Sequence, residues 1–318
     1  MYKYLICLSF LGFLLTNLMS AQSFQSSELS IPAGYDSLYG TLLMPDNFES
    51  KKVVLFHSGS GPTDRDGNSQ LTQNNGLKML AEALAEKGIA SFRFDKRVAG
   101  KSIKAVQKEE DITIDSLIDD TKRWMGILKG MPQFDKFYLL GHSEGALIGL
   151  VAASDIKVDG YISLAGAGSR ADMILKKQLG TQLATLPQLK DEVFNALDTL
   201  AMGQTVKKVN PMLMSLLRPS VQPYMISWFK YDPQEYIKKI DGKKVLIVQG
   251  TTDIQVKVED AEMLYTAQPD AQKVIIEGMN HVLKEAPMDQ AQNIATYSKP
   301  DLPIVQKCVD VIADFILK

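Results

Sequence analysis

Short apolar segments that alternate with helical patterns constrain this chain more than any other feature of its sequence. The segments are rich in β-branched and aromatic side chains, as buried parallel strands are. They span residues 53–57, 90–94, 136–140, 160–164, 244–249 and 273–276. Residues 29–31 and 38–44 come first and look like an antiparallel pair. This alternation predicts an α/β fold in which helices cover a mostly parallel sheet.

Apolar residues at helical spacing separate these segments. Residues 75–86, 115–128 and 303–317 each carry such a stripe. From residue 169 to 240 the alternation stops, and the stretch shows helical patterns and an apolar tract with prolines instead of a convincing strand. We therefore predict a core of residues 22–168 and 241–318 and a helical cap, or lid, inserted at 169–240. A set of ordinary packing helices is the alternative.

The first 21 residues form a different kind of sequence. Lys3 precedes an apolar stretch at residues 5–18, and Ala21 is a small residue suited to cleavage. The stretch is shorter than the roughly 20 residues that a membrane-spanning helix needs. Residues 1–21 therefore predict a secretory signal peptide and a periplasmic or secreted protein without a stable membrane span after cleavage. A retained membrane anchor is the alternative. Cleavage leaves Cys308 as the one cysteine, so no intramolecular disulfide is expected.

The composition and charge of the chain limit the kinds of molecule that it is expected to bind. The chain has 318 residues, with 35 Lys and Arg against 37 Asp and Glu. This near-neutral balance gives no basic surface for a polyanion, so we expect no nucleic-acid partner. Hydrophobic residues make up 45%, which is enough for a sizeable core. The sequence leaves the oligomeric state open.

The pentapeptide Gly141-His142-Ser143-Glu144-Gly145 is the strongest chemical signal. It joins the predicted strand at 136–140 directly to a helical run at 146–153. A nucleophile on a sharp strand-to-helix turn needs small neighbours because its own backbone is strained, and the two glycines supply that space. The N-terminus of the following helix also favours negative charge nearby. We therefore predict that Ser143 is a catalytic nucleophile and not a plain turn serine.

Three histidines compete for the role of the base that a serine nucleophile needs. His57 ends a strand far upstream, and the side chain of His142 should leave the turn in another direction from its neighbour Ser143. His281 follows the last predicted strand across a short loop, at the carboxyl edge of the sheet. Elimination therefore favours His281 as the base.

An acidic partner must fix the tautomer of this base and stabilise the imidazolium. Asp253 follows the predicted strand at 244–249 and so lies at the same edge of the sheet. Glu259 and Asp260 are rivals, but they begin the next helix, where acidic residues are common. The predicted triad is Ser143, His281 and Asp253.

A glycine-rich loop at residues 58–62 follows the predicted strand at 53–57. Acyl transfer needs backbone N–H donors for the developing oxyanion. We expect one donor from Glu144, directly after the nucleophile, and the other from this loop, whose glycines let the backbone approach a substrate closely. No Gly-Lys-Ser/Thr follows the loop, which argues against nucleotide binding. Neither a cofactor nor a metal is predicted.

Several motifs together resemble those of the α/β-hydrolase fold family, in its bacterial branch of serine aminopeptidase-like proteins and esterases. They lie at residues 59–68, 93–97, 141–145, 245–256 and 279–281, so the resemblance covers nearly the whole mature chain. It implies an α/β-hydrolase fold with a helical cap and the triad order Ser143, Asp253, His281. By analogy within the fold, the loop donor is the N–H of Ser60, with Gly59 as the alternative. Val98 departs from the pattern, because the family often has glycine there, and it leaves the shape of its loop open.

Two further patterns each have two interpretations. Asp64, Asp66 and Asn68 alternate like the ligands of a calcium loop, but the expected bidentate glutamate is missing. A structural role, in which the aspartates pair with nearby arginines, is favoured. Residues 212–229 are rich in methionine and aromatic side chains, which either line an acyl pocket or pack inside the cap.

The sequence thus predicts an exported serine hydrolase that cleaves a carboxylic ester of a small-molecule acyl substrate through an acyl-enzyme on Ser143. An exo-acting peptidase or a thioesterase is the alternative with the same chemistry. A peptidase needs an anionic subsite, for which Asp172, Asp191 and Glu192 are candidates. A binding protein that merely kept the fold is a third hypothesis, and the intact set of predicted catalytic residues argues against it.

Overall fold

The computed structural model describes residues 24–318, so the predicted signal peptide lies outside the described residues. The strands of this part form one eight-stranded sheet. They are β1 (Phe24–Ala33), β2 (Asp36–Pro45), β3 (Lys52–His57), β4 (Ala90–Phe94), β5 (Lys136–His142), β6 (Gly160–Leu164), β7 (Val245–Gly250) and β8 (Gln272–Ile276). Across the sheet they lie in the order β1-β2-β4-β3-β5-β6-β7-β8.

Strand direction places the functional loops on one edge of this sheet. β1 pairs antiparallel with β2, and β2 pairs antiparallel with β4. From β4 across to β8, every neighbouring pair is parallel. The loops that leave the carboxyl ends of these parallel strands therefore meet along one edge, where open α/β sheets bind their ligands. β4, β6 and β7 are buried throughout, which explains their uninterrupted apolar sequences.

Helices cover both faces of the sheet. They are α1 (Gly76–Glu86), α2 (Ile114–Lys129), α3 (Glu144–Asp155), α4 (Ala171–Gln182), α5 (Pro187–Ala201), α6 (Met214–Leu217), α7 (Gln222–Phe229), α8 (Pro233–Ile237), α9 (Val258–Ala267), α10 (Gln290–Ala295) and α11 (Gln306–Leu317). α2, α3 and α9 pack on one face, and α1 and α11 pack on the other. Cys308 is fully buried on α11. No helix within residues 24–318 is long and apolar enough to cross a membrane.

The segment from α4 to α8 has an apolar core of its own. Side chains from α4, α5, α6 and α7 form a third apolar cluster, separate from the two that flank the sheet. The segment also contacts the main body: the N–H of Ile114 donates to Ser227 Oγ at 2.8 Å, and the hydroxyl of Tyr231 donates to Asp115 at 2.6 Å. Residues 169–240 contain helices and no strand, as the sequence predicts. That these helices move as a lid stays a prediction.

The observed ends of some strands and helices differ from the predicted ends, chiefly where polar residues interrupt the apolar pattern of the sequence. β1 and β2 run for ten residues each, well beyond the predicted 29–31 and 38–44. Most of β1 is exposed at the edge of the sheet, so it needs few apolar residues there. The last helix begins at Gln306 rather than at residue 303. Proline at 303 suits an extended approach better than a helix interior.

Candidate active site

Ser143 lies on a sharp turn between β5 and α3. Its backbone has φ 57° and ψ −121°, a conformation that residues with a side chain rarely adopt. A Cβ atom at Gly141 would lie 2.1 Å from the carbonyl oxygen of Gly145, and one at Gly145 would lie 2.4 Å from that of His57. Both positions therefore require glycine. The turn presents the serine at the carboxyl edge of the sheet, as its sequence context predicts.

His281 and Asp253 meet at this same edge. The loop after β8 carries His281, and the loop after β7 carries Asp253. The Nδ1 atom of the ring lies 2.8 Å from Oδ2 of the carboxylate. Only 5% of His281 and 2% of Asp253 is exposed, so water competes little for this hydrogen bond. The structure thus brings the predicted base and the predicted acid together.

Asp253 is held by several donors. Its Oδ1 accepts from the N–H groups of Gln255 at 2.8 Å and Val256 at 3.0 Å. Its Oδ2 also accepts from Gln249 Nε2 at 3.1 Å. Burial alone raises the pKa of this carboxyl, but His281 and the N–H donors outweigh burial and hold the pKa below its usual value. The carboxylate is therefore ionised and fixed in orientation. Gln249 is not among the residues predicted from the sequence, although a polar side chain at the end of a buried strand is a signal that could have indicated it.

His142 supports the loop that carries His281. Its Nε2 lies 2.8 Å from the carbonyl oxygen of His281, and the two ring centroids are 4.8 Å apart. Burial, reinforced by the nearby His281, lowers the pKa of His142 to about 3. The ring is therefore neutral, and its contact with a carbonyl assigns the proton to Nε2. His142 is thus not the base, as predicted from the sequence, but its contact with the His281 loop was not predicted.

Ser143 and His281 line one cavity of about 240 Å³, together with polar groups such as Thr63, Asn74 and Tyr297. Within residues 24–318 no hydrogen bond joins the Ser143 hydroxyl to the ring, and the ring's recorded side-chain partner is Asp253. Such bonds are often long in sites without a substrate and tighten when one binds. The geometry therefore places the two groups in the wall of one cavity.

The predicted oxyanion donors flank the nucleophile. Ser60 borders the polar cavity and two further cavities, and Glu144 is the first residue of α3. In the described part of the chain, no backbone acceptor takes the N–H of either residue. A Cβ at Gly59 would lie 3.2 Å from the Cβ of Ser143, so the loop backbone runs against the nucleophile. Both N–H groups are therefore available to a ligand. The choice between Ser60 and Gly59 as the loop donor stays a prediction.

Two more cavities lie between the sheet edge and the cap. One, of about 360 Å³, includes Val98, Tyr224 and Trp228 among its walls. The other, of about 230 Å³, includes Ser143 and Ile174. Both are lined mainly by apolar groups, in contrast to the polar cavity beside His281. In the apolar tract at 212–229, Tyr224 and Trp228 line a cavity, while other residues pack in the cap core. That this cavity holds an acyl group stays a prediction.

The remaining acidic candidates have structural partners. Asp66 forms an ion pair with Arg93 at 3.0 Å, and Asp64 Oδ1 accepts two backbone N–H groups at 2.9 Å. Glu259 is exposed, and Asp260 accepts from the N–H of Gly168 at 2.9 Å. Each of these contacts orders a loop or a helix start. Asp253 is the carboxylate of this group that reaches His281.

Val98 has a left-handed backbone, with φ 68°. This is the position where the resembling family often has glycine, which adopts such a conformation without strain. The loop therefore keeps a glycine-type shape with a β-branched residue in it. The cost of such a conformation is of the order of 1–3 kcal/mol.

Known proteins with related sequences and structures place the chain in a family. A profile described as the alpha/beta hydrolase fold matches residues 52–222, more than half of the chain. Esterase EstD of Thermotoga maritima is 25% identical over 276 residues, which are 85% of this chain and 62% of EstD. The chain thus spans less than two thirds of that relative's length.

Solved structures agree in fold. Est1E from Butyrivibrio proteoclasticus has a TM-score of 0.57 at 18% identity, with 92% of this chain and 99% of Est1E covered. Proline iminopeptidase from Mycobacterium smegmatis has a TM-score of 0.57 at 14% identity, with 91% and 97% covered. At these identities the likeness shows a shared fold and no shared substrate. The profile match, the sheet order and the turn at Ser143 lead to one conclusion: the chain belongs to the α/β-hydrolase fold family.

Proposed function

We propose that this protein is an exported serine hydrolase that cleaves carboxylic esters of small molecules through an acyl-enzyme on Ser143. One observation carries the proposal: the 2.8 Å pair of His281 and Asp253 borders the cavity into which the strained turn presents Ser143. A hydroxyl, an imidazole and an ionised carboxylate in this order are the groups that acyl transfer requires. The name of the relative EstD supports an ester as the bond that is cleaved.

In the first half of the reaction, Ser143 Oγ attacks the carbonyl carbon of the ester, and His281 Nε2 takes the hydroxyl proton. The N–H groups of Ser60 and Glu144 stabilise the oxyanion of the tetrahedral intermediate. The intermediate collapses, the bond to the leaving oxygen breaks, and His281 returns its proton to the departing alcohol. Asp253 stabilises the imidazolium throughout and keeps its own charge.

In the second half, a water molecule attacks the acyl-enzyme while His281 takes one of its protons. The second tetrahedral intermediate is held by the same two N–H groups. Its collapse releases the carboxylic acid and returns the proton to Ser143. All groups in this scheme belong to the chain itself, and the scheme uses neither a cofactor nor a metal.

The cavities favour an ester over a peptide with a free amino terminus. A free ammonium group needs a carboxylate partner near the nucleophile, and the sequence offers Asp172, Asp191 and Glu192. Asp172 pairs with Arg170 at 2.7 Å, and Glu192 accepts from Asn210 at 2.7 Å. Of the described residues that line the cavities with Ser143, none is one of these three acids. Glu144 does line one of these cavities, but burial raises the pKa of its carboxyl, which makes it a poor partner for an ammonium group. The apolar walls under the cap suit an uncharged acyl or alcohol group instead.

Export is supported by the pattern of residues 1–21, which resembles a signal peptide. The test is to express the full chain in a bacterial host and determine the N-terminus of the protein recovered from the periplasm or medium. A mature protein that begins just after Ala21 is the expected result. Full-length protein that stays in the membrane fraction would contradict this part of the proposal.

Activity across bond types tests the chemistry. We expect turnover of short-chain nitrophenyl esters with an initial burst that matches the enzyme concentration, because an acyl-enzyme accumulates. Thioesters and aminoacyl amides, assayed alongside, separate the two alternatives. Ser143→Ala should abolish the burst and labelling by a fluorophosphonate, while Ser154→Ala, a serine on α3 outside the site, should keep both. Full turnover by Ser143→Ala would overturn the mechanism.

A further inference from the structure

Lys96 is a buried lysine at the base of the loop that carries the oxyanion donor. It follows β4, and only 3% of it is exposed. Its Nζ donates a hydrogen bond to the carbonyl oxygen of Gly59. Burying an ammonium group is costly unless it has a partner, so a buried lysine calls for an explanation. The hydrolytic scheme above leaves this residue without a role.

The carbonyl that Lys96 holds belongs to the same peptide group as the N–H of Ser60. In a planar trans peptide the C=O and the N–H point in opposite directions. A donor that binds the Gly59 carbonyl oxygen therefore also fixes the direction of the Ser60 N–H, which points away from that donor. That side is open, because Ser60 borders all three cavities and its N–H has no backbone acceptor in the described chain.

Glu144 offers Lys96 a second partner, but the contacts favour the peptide. Both carboxylate oxygens of Glu144 are buried, and within the described residues neither accepts a hydrogen bond from Lys96. Burial raises the pKa of this carboxyl, and the charge of Lys96 opposes the rise only in part. The recorded hydrogen bond of the Lys96 ammonium goes to the Gly59 carbonyl. The lysine is therefore fixed to the loop, and the glutamate is a buried carboxyl nearby whose pKa is raised by burial.

Neighbouring contacts hold the segment of Lys96 in place. Asp95 accepts from the backbone N–H of Arg65 at 2.9 Å and from its guanidinium at 2.7 Å. The N–H of Lys101 also donates to Asp95, at 2.8 Å. The residue directly before Lys96 is thus held by three hydrogen bonds. A buried side chain on a fixed base is suited to hold another group in one orientation.

We propose that Lys96 is a positioning residue for the oxyanion hole: it holds the Gly59–Ser60 peptide so that the Ser60 N–H faces the oxyanion. The proposal rests on the function proposed above. A polarised carbonyl also makes the N–H of the same peptide a better donor, because hydrogen bonds in a chain strengthen one another. Lys96 touches no reacting atom and acts through this peptide alone.

The test compares Lys96→Met with the wild-type protein, because methionine keeps the length and removes the donor. Loss of one oxyanion donor lowers kcat by about 10²–10³, and we expect about 10- to 100-fold for a donor that is displaced but present. KM should change little, since a ground-state ester does not need the oxyanion contact. Lys104→Met, an exposed lysine that follows in the same loop, is the matched control and should behave like wild type.

A double variant separates the two partners of Lys96. Glu144→Gln keeps the backbone N–H of residue 144 and removes its ionisable carboxyl. If Lys96 acts through the Gly59 peptide, Lys96→Met should lower kcat as much in the Glu144→Gln background as in the wild-type background. Recovery of kcat in the double variant would overturn the proposal, because it would make Lys96 a mere counter-charge. The double variant also serves if Lys96→Met alone does not fold.

Phosphonylation of Ser143 by a fluorophosphonate gives a second readout, since its phosphoryl oxygen occupies the oxyanion hole. We expect Lys96→Met to be labelled about 10- to 100-fold more slowly than the wild-type protein. Its melting temperature should equal that of the wild-type protein. Equal labelling rates for Lys96→Met and wild type would overturn the inference alone. A wild-type protein that is labelled but hydrolyses no ester would contradict the proposed function alone, and the comparison of labelling rates would still stand.

Discussion

Nδ1 of His281 lies 2.8 Å from Oδ2 of Asp253, although the two residues follow different strands at the edge of the sheet. This contact sets the proton on Nδ1 and leaves Nε2 free to act toward Ser143. Two backbone N–H groups and Gln249 hold the carboxylate from its other sides. The surrounding residues thus orient the His281–Asp253 pair before any substrate binds. Substitution of Asp253 is therefore the most direct test of the pair.

Asp253→Asn should lower kcat by about 10³- to 10⁴-fold while the fold persists. The amide has the same shape, but it lacks the charge and favours the wrong tautomer of His281. The measurement is steady-state hydrolysis of a nitrophenyl ester with circular dichroism as a check of folding. Glu259→Gln removes the exposed rival acid and should leave kcat unchanged. An Asp253→Asn protein with wild-type kcat would remove Asp253 from the mechanism.

Gly145→Ala should destabilise the protein by several kcal/mol, because the new methyl group would lie 2.4 Å from the His57 carbonyl and 2.5 Å from that of Ser58. Gly126→Ala is the matched control. Gly126 lies inside α2 with open space around it, so alanine should stabilise the helix by about 1 kcal/mol. Urea denaturation of both variants checks the opposite signs. A Gly145→Ala protein of normal stability and activity would show that the turn is less tight than described.

The sheet was largely predictable from the sequence because its central strands are buried on both faces. β4 and β6 have the bounds expected from their apolar segments, β3 and β8 each begin one residue earlier than expected, and β7 is shifted by one residue at both ends. The Ser143 turn was equally visible, since steric crowding at two positions permits only glycine. Local chemistry determines these features, so a single sequence displays them.

Contacts between distant segments were not predictable in the same way. Gln249, His142 and Lys96 each hold a functional loop through hydrogen bonds that spacing does not encode. Glutamine, histidine and lysine at a strand end are also common at exposed positions, so their residue types do not reveal these contacts. Their partners became identifiable only when the order of strands placed the loops side by side. The left-handed backbone of Val98 was not predictable either, because β-branched residues rarely adopt that conformation.

Val98→Gly should stabilise the protein by about 1 kcal/mol, the strain of a β-branched residue at positive φ less the entropy that glycine adds to the unfolded chain. Val106 is the matched control, since it ends the same loop with an ordinary extended backbone of φ −128°. Val106→Gly should therefore destabilise. Urea denaturation measures both. Val98 also lines the 360 Å³ cavity, so Val98→Gly should accept bulkier esters. Equal destabilisation by the two variants would show that Val98 carries no strain.

Stability should fall as the pH drops from about 6.5 to about 3, partly because of His57. This ring is fully buried beside Phe94, and burial, with Lys96 adding to it, lowers its pKa to about 3. In the unfolded chain its pKa returns to about 6.5. Between these values the unfolded state binds a proton that the folded state does not, so the free energy of unfolding decreases with decreasing pH. The contribution is complete above pH 6.5 and is lost as the pH falls toward 3.

His57→Asn should flatten this dependence by about 1 kcal/mol per pH unit between pH 6 and 4, since asparagine does not titrate. Urea denaturation at a series of pH values measures the slope. Ser91→Ala is the matched control, because Ser91 is equally buried and its hydroxyl has no hydrogen-bond partner within the described residues. That variant should keep the wild-type slope whatever its overall stability. An unchanged slope in His57→Asn would mean that the ring is protonated in the folded protein and that its burial does not exclude charge.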